Sequence, residues 1–203
     1  MLEHRWQSVY GWFNFADVYS RIVREAPVGA TLVELGVYHG KSLCYLAVEA
    51  TNSGKNLRLW GYDQFPLCHE IWKAVRQETM EAAKRLFPCK IHVSLQQVAR
   101  LNLHMTGAAA CVWLEKQDAV AAAADWKDNT IFFVWVDLDH LEFSTLQQME
   151  AWWPKIQSGG YLGGHDFDNP DFPGVRKAAE AFAAHHGVTI EVMPPLSFLI
   201  RKP

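Results

Sequence analysis

The sequence predicts an α/β fold in which helices cover a mostly parallel, seven-stranded sheet on both faces. Segments rich in strand-forming residues alternate with helical segments along the chain, and this alternation is typical of parallel sheets. Residues 131–136 are apolar at every position, as expected of a central strand. The last two predicted strands are joined across Pro194-Pro195, and so short a connection requires an antiparallel hairpin.

Periodicity and turn-forming residues define the individual elements. Residues 12–25 have an amphipathic pattern that ends at Pro27-Val28-Gly29, and the next helical segment ends at Asn52-Ser53-Gly54. Residues 119–125 are rich in alanine, which favours a short helix. The predicted helices are 12–25, 41–51, 70–86, 95–105, 119–125, 145–156 and 175–185. The predicted strands are 31–35, 57–62, 111–114, 131–136, 161–164, 188–192 and 197–200.

The composition limits the possible classes of function. The chain has 203 residues, of which 50% are hydrophobic and 20% charged, and this predicts one domain over residues 1–203. Its formal net charge of −3 argues against a nucleic-acid partner, which favours a basic surface. No apolar run reaches the roughly 18 residues of a membrane span, so no membrane partner is expected. The four cysteines are widely spaced, which favours free thiols in the cytoplasm.

Residues 31–42 have the pattern of a cofactor-binding turn. A run of strand formers contains Glu34, and Gly36 and Gly40 follow four residues apart before a helical segment. A strand, a glycine turn and a helix N-terminus form a nucleotide-sized pocket at the carboxyl edge of a sheet. The G-x-G-x-x-G spacing is missing, and Leu35 stands where a P-loop has its first glycine. An acidic residue at the strand end suits a cationic cofactor without phosphate, and S-adenosylmethionine fits this description.

Acidic residues also follow two later strands. Asp137 comes directly after residues 131–136, and Asp166 comes shortly after residues 161–164. Adjacent strand ends lie about 5 Å apart, and two carboxylates at that distance repel each other unless a cation or a proton lies between them. Oxygen ligands of this kind favour Mg²⁺. The alternative is an ion-paired network at the strand ends, with Arg176 or Lys177 as partners.

Four motifs in this order resemble those of class I S-adenosylmethionine-dependent methyltransferases. They are the glycine turn from Glu34 to Ser42, Tyr62-Asp63, the segment 136–140 and the segment 159–166. The most similar group is the small bacterial and phage domain related to macrocin O-methyltransferase and the so-called cephalosporin hydroxylases. The resemblance covers roughly residues 12–202. It implies a Rossmann-like methyltransferase sandwich and metal-dependent methylation of a hydroxyl group on a small-molecule or sugar acceptor.

The resemblance also implies a set of residues that bind the cofactor. Asp63 would accept the two ribose hydroxyls, because each carboxylate oxygen takes one O–H. Glu34 would lie under the methionine end, order the turn, or cap the following helix. Ser42 would bind the cofactor carboxylate or cap its own helix, and Asp118 would meet the adenine amino group or cap the helix that follows it. The full predicted set is Glu34, Gly36, Tyr38, Gly40, Ser42, Asp63, Asp118 and Asp137.

The catalytic and metal-binding residues come from the later motifs. In the family, the residues that match Asp137, His165 and Asp166 face the metal, and the residue that matches Asp139 is the candidate general base. Some relatives have an acid where this chain has His165. That histidine could ligate the metal and favour Mn²⁺ or Zn²⁺, or stay neutral and help to deprotonate the acceptor. His140 is expected to orient Asp139 or the acceptor.

Further expectations concern the N-terminal region and the alternatives to catalysis. Residues 1–28 form a helical segment that could act as a lid over the cofactor, with Trp12 and Phe13 as its contacts, although such aromatic residues more often belong to a core. A second subunit could complete the acceptor pocket in a homo-oligomer. A non-catalytic cofactor-binding protein of the same fold and an NAD-dependent oxidoreductase are the alternative functions.

Overall fold

The structure is a computed structural model that describes residues 1–65 and 94–203. The helix predicted at 70–86 lies outside the described residues. One sheet of seven strands forms the centre, in the order β3-β2-β1-β4-β5-β7-β6. The strands are β1 (Thr31–Leu35), β2 (Arg58–Asp63), β3 (Val112–Lys116), β4 (Ile131–Val136), β5 (Ile156–Gly164), β6 (Ile190–Met193) and β7 (Ser197–Arg201).

The sheet has the topology that the sequence predicts. The first five strands are parallel, whereas β7 runs antiparallel to both β5 and β6. From β1 the chain moves outward through β2 and β3, and it then returns to place β4 on the other side of β1. In open α/β sheets, ligands bind outside the carboxyl ends of the strands at such a switch point. The candidate site is therefore expected where β1 and β4 end.

Helices cover both faces of the sheet and bury two apolar layers. The helices are α1 (Ala16–Glu25), α2 (Lys41–Asn52), α3 (Leu95–Thr106), α4 (Ala119–Ala122), α5 (Glu142–Trp152) and α6 (Pro173–His186). Tyr19 and Leu43 belong to the layer under α1, α2 and α3. Trp152 and Phe182 belong to the layer under α5 and α6. Within the described residues, no helix is long and apolar enough to span a membrane.

Several predicted boundaries were wrong. The first helix begins at Ala16 instead of residue 12, because residues 12–15 have irregular backbone and Phe15 is the N-cap. The helix predicted at 145–156 is α5, which ends at Trp152 and is followed by a 3₁₀ turn (Trp153–Lys155). The strand predicted at 161–164 begins five residues earlier, at Ile156. Its glycines hid this extension, although a Cβ on Gly160 would lie only 2.6 Å from the Phe132 carbonyl oxygen.

Candidate active site

The turn after β1 needs both of its glycines for backbone reasons. Gly36 has φ +96°, and a Cβ there would lie 1.7 Å from the backbone oxygen of Asp137. Its missing side chain therefore lets the ends of β1 and β4 approach each other. Gly40 has φ +82° and is the N-cap of α2, and this left-handed conformation is costly for other residues. The sequence located the turn correctly, and the structure shows that the close neighbour of Gly36 is the Asp137 backbone.

Asp63 holds this turn in place. Its Oδ2 accepts hydrogen bonds from the backbone N–H groups of Val37 (3.0 Å) and Tyr38 (2.8 Å), and its Oδ1 accepts one from Phe65 N–H (2.6 Å). A carboxylate has about four acceptor positions, so three of them are already used. The carboxylate at the end of β2 thus shapes the turn, and its contact with a ribose stays a prediction.

Glu34 and Ser42 form a buried pair below the turn. Glu34 is 1% exposed, and it accepts hydrogen bonds of 2.7 Å from the Tyr19 and Ser42 hydroxyl groups. Neither side chain caps α2, which has no side-chain bond at its N-cap. Burial raises the pKa of Glu34 to about 8, although the two hydrogen bonds act in the opposite direction. The pair links β1 to α1 and α2 beneath the candidate cofactor turn.

Three side chains meet where β4 and β5 end, and we call them the strand-end cluster: Asp137, His140 and Asp166. His140 Nε2 lies 3.1 Å from Asp137 Oδ1 and 3.0 Å from Asp166 Oδ2. The ring of His140 stacks on Phe172, with 4.4 Å between centroids. His140 and Asp166 have φ +62° and +61°. Such left-handed residues cost about 1 to 3 kcal/mol each and concentrate at functional sites.

The charges of the strand-end cluster are mutually compensating. Burial lowers the pKa of His140, but its hydrogen bonds to Asp137 and Asp166 outweigh this and raise it to about 9. Burial opposes ionisation of Asp166 as well, yet hydrogen bonds from His140, His165 and Asn169 hold the pKa of Asp166 well below its usual range. In this structure the two carboxylates of the cluster are therefore ion-paired, as the alternative interpretation proposed, but the cation between them is His140.

Arg176 and Lys177, the cations first considered, have other partners. Arg176 pairs with Asp168, and the Lys177 ammonium lies 4.0 Å from Glu142. His140 takes the place that they were expected to fill. The histidine is three residues after Asp137, and its left-handed backbone turns the ring back towards the end of β4.

His165 lies beside the strand-end cluster rather than in it. Its Nδ1 is 3.1 Å from Asp166 Oδ2, and its Nε2 is 2.7 Å from Asn14 Oδ1. The sequence predicted His165 as a metal ligand, whereas the side chains whose ligand atoms converge include His140 instead. Asn14 was missed altogether. It is 151 residues away from His165, and no local pattern marks an asparagine in an irregular segment as part of a site.

The remaining predicted residues have local roles in the structure. Asp139 is exposed, and its Oδ1 accepts hydrogen bonds from Leu141 N–H and the Ser144 hydroxyl at the start of α5. Asp118 is the N-cap of α4, where its Oδ1 accepts from two backbone N–H groups. Its Oδ2 accepts from Gln64 Nε2 at 2.6 Å. The capping interpretation of Asp118 is thus confirmed, and its contact with adenine stays a prediction.

The N-terminal segment packs against the turn after β1. Lys41 Nζ donates to the Gly11 carbonyl oxygen at 2.9 Å. The Trp12 ring stacks on Tyr38, with 6.3 Å between centroids, and remains 74% exposed. Together with the contact between Asn14 and His165, these interactions place residues 11–14 along the edge of both the glycine turn and the strand-end cluster.

The donor set of the strand-end cluster fits a divalent cation that would replace the proton of His140. Asp137, His140 and Asp166 each offer one ligand atom, and these atoms lie within 4.8 Å of one another. Two carboxylates and one imidazole suit Mg²⁺ or Mn²⁺, with the imidazole favouring the softer ion. The glycine turn fits a nucleoside cofactor, because it stands at the switch point of the sheet.

Comparison with known proteins identifies the family and the fold. A family model described as a methyltransferase domain matches residues 33–167, which is more than half of the chain. The O-methyltransferase NovP superimposes with a TM-score of 0.68 at 20% identity, over 92% of this chain and 78% of NovP. CalS11, a TDP-rhamnose 3′-O-methyltransferase of calicheamicin biosynthesis, gives 0.58 at 20% identity, over 92% and 76%.

A third structure agrees with these two. Cofactor-bound Rv0187 from MTB gives a TM-score of 0.65 at 13% identity, over 96% of this chain and 83% of Rv0187. At these identities, structural similarity shows the fold and nothing more. The search of curated proteins found no match to the sequence. The family match and the fold both agree with the four sequence motifs. The chain belongs to the family of methyltransferase domains and is a class I S-adenosylmethionine-dependent methyltransferase.

Proposed function

We propose that the chain transfers a methyl group from S-adenosylmethionine to a hydroxyl oxygen of a small-molecule or sugar acceptor, with the help of a divalent cation. The observation that carries this proposal is the strand-end cluster, which lies next to the glycine turn because Gly36 packs against Asp137. The names of NovP and CalS11 as O-methyltransferases support the choice of oxygen as acceptor atom.

The cofactor is proposed to lie along the turn from Gly36 to Gly40. Asp63 has one acceptor position left for a ribose hydroxyl after its three backbone hydrogen bonds. The carboxylate of Asp137 lies on the side of the turn where β4 ends, which suits the cationic methionine end. Glu34 and Ser42 support the turn from below, so their proposed contribution is to its shape.

Asp137, His140 and Asp166 are the residues that would hold the cation. When bound there, a divalent ion would supply Lewis-acid chemistry that makes an acceptor hydroxyl easier to deprotonate. Asp139 stays the proposed general base, which would receive the hydroxyl proton on a carboxylate oxygen. His165 orients Asp166 through Nδ1, and Asn14 fixes His165 through Nε2.

The N-terminal segment is proposed to act as a lid. Residues 11–14 already contact the turn and His165, and a segment that lies over the crevice excludes water from the transfer. Leu141 and Phe143 are 65% and 71% exposed next to Asp139. These apolar side chains support the further proposal that a second subunit completes the acceptor pocket. The cytoplasmic location also remains a proposal, supported by the free thiols of Cys44 and Cys111.

The direct test is formation of S-adenosylhomocysteine with a panel of phenolic and sugar hydroxyl acceptors, in Mg²⁺ or Mn²⁺ and in chelator. We expect turnover with at least one acceptor, loss of turnover in chelator, and loss of the metal dependence in Asp137→Ala. Turnover that is equal in metal and in chelator would remove the metal from the proposal. Cofactor binding without turnover on any acceptor would favour a non-catalytic binding protein.

A further inference from the structure

A second group of possible metal ligands lies away from the candidate active site, and we call it the helix-end cluster: Glu150, His185 and His186. His186 Nε2 lies 2.9 Å from Glu150 Oε2. The rings of His185 and His186 are 4.9 Å apart. One ligand atom from each of the three residues lies within 4.8 Å of the others. None of these residues has a part in the proposed methyl transfer.

The position of the helix-end cluster follows from the parallel sheet. The helices α5 and α6 follow β4 and β5, so both begin at the edge with the strand-end cluster and end at the opposite edge. Gly174, in the first turn of α6, packs against the backbone of His140. His186 is twelve residues further along, which is about 18 Å at 1.5 Å per residue. The two clusters are therefore separate sites.

The electrostatics of this region favour a cation. Glu150 and the two histidines lie in the last turns of α5 and α6, where the helix carbonyl groups give a partial negative charge. The Glu150 carboxylate adds a full negative charge to the same place. A carboxylate at a helix C-terminus is unfavourable unless a cation compensates for it. A divalent metal ion there would supply two positive charges.

The ligands are also partly preorganised. The His186 ring packs against Phe182 at 4.3 Å and against Trp153 at 5.7 Å between centroids, so little freedom remains to be lost on binding. His185 is exposed and can adjust. A tetrahedral ion with bonds of about 2.0 to 2.1 Å sets its ligand atoms about 3.3 Å apart. The three ligand atoms of the cluster already lie within 4.8 Å of one another, so small side-chain movements would reach this geometry.

We propose that the helix-end cluster binds a divalent transition-metal ion, with two imidazoles and one carboxylate as ligands and water in the open position. Two imidazoles favour Zn²⁺, Ni²⁺ or Cu²⁺ over Mg²⁺, so this site differs in selectivity from the strand-end cluster. The bound ion ties the end of α5 to the end of α6. A simple ion pair between Glu150 and His186 is the competing explanation.

The test is titration of ZnCl₂ into the chelator-treated full chain, followed by calorimetry and by thermal unfolding. We expect Zn²⁺ to bind and to raise Tm, and His185→Ala to weaken the stabilising site at least 10-fold without changing methyl transfer. His104→Ala is the matched control, because His104 is also an exposed histidine in the last turn of a helix. Glu150→Gln should weaken binding as well.

Two variants distinguish Zn²⁺ bound at the helix-end cluster from Zn²⁺ bound at the strand-end cluster. Binding at the strand-end cluster should survive His185→Ala and be lost in Asp137→Ala. Binding at the helix-end cluster should survive Asp137→Ala and be weakened in His185→Ala. Equal Zn²⁺ affinity and equal Tm increase in wild type and His185→Ala would overturn the proposal. The absence of any Zn²⁺ binding that depends on His185 or Glu150 would leave only the ion pair. Neither result bears on methyl transfer.

Discussion

The strand-end cluster and the helix-end cluster use the same two kinds of ligand group, carboxylate and imidazole, in inverted proportion. The first has two carboxylates around one imidazole, and the second has two imidazoles beside one carboxylate. Their construction also differs. Left-handed residues and a glycine that removes a 1.7 Å clash form the strand-end cluster, whereas the last turns of two regular helices form the other. Backbone strain at only one of them indicates where catalysis is expected.

Replacing a glycine by alanine is expected to give the largest difference in stability between the two regions. Gly36→Ala drives a Cβ into the Asp137 backbone, so we expect a stability loss of about 3 kcal/mol or more and loss of cofactor binding. Gly187→Ala is the control at the helix-end cluster. It has φ +63° with open space around the Cβ, and its cost should be about 1 to 2 kcal/mol. Urea denaturation measures both, and equal losses would contradict the close approach.

The next largest effect is expected at Asp139. Asp139→Asn keeps an oxygen that accepts from Leu141 N–H, so α5 should begin normally and cofactor affinity should be retained. Loss of the general base should lower kcat by about 10²-fold to 10⁴-fold. Ser144→Ala removes the other local partner of Asp139 and should have a much smaller effect. Unchanged turnover in Asp139→Asn would leave this residue a structural role only.

A smaller effect is expected where the N-terminal segment meets the strand-end cluster. Asn14→Ala removes the partner of His165 Nε2, so we expect kcat to fall about 10-fold to 100-fold, as for other residues that orient a metal site. Asn52→Ala is the control, because Asn52 fixes the same segment through Leu2. If both variants lower kcat equally, Asn14 acts only by anchoring the segment.

The last expected effect is a pH dependence of stability that comes from the buried Glu34 beneath the glycine turn. Burial raises the pKa of Glu34 from 4.5 to about 8, so the folded chain keeps a proton that the unfolded chain has lost. The contribution of Glu34 to the free energy of unfolding is complete below pH 4.5, and it is lost as the pH rises towards about 8. Glu34→Gln should therefore flatten the decrease in the free energy of unfolding over this interval. An unaltered slope in Glu34→Gln would mean that folded Glu34 is ionised.

The order and type of the described elements were predicted correctly, whereas several of their boundaries were not. The strand β4 is visible as an unbroken apolar run, and the turn after β1 is visible as two glycines four residues apart. The beginning of β5 was missed, because Gly159 and Gly160 weaken a strand pattern. Their place in the sheet depends on contacts with β4 and β7, which the local sequence does not encode.

The composition of the site was harder to predict than its place. Asp137 and Asp166 follow strands, so the sheet brings them together. His140 joins them only because its backbone is left-handed, and such a conformation has no signature in a single sequence. Asn14 and the helix-end cluster depend on contacts across 151 and 36 residues, although the paired histidines before Gly187 were a visible signal for the latter.

The central claim is that the glycine turn and the strand-end cluster form one cofactor-binding site. Calorimetric titration of S-adenosylmethionine into wild type and Gly36→Ala, in Mg²⁺ and then in chelator, tests it most directly. We predict micromolar binding to wild type, no binding to Gly36→Ala, and binding to His185→Ala that equals wild type. Absence of binding to wild type in either condition, or equal binding to Gly36→Ala, would contradict the claim.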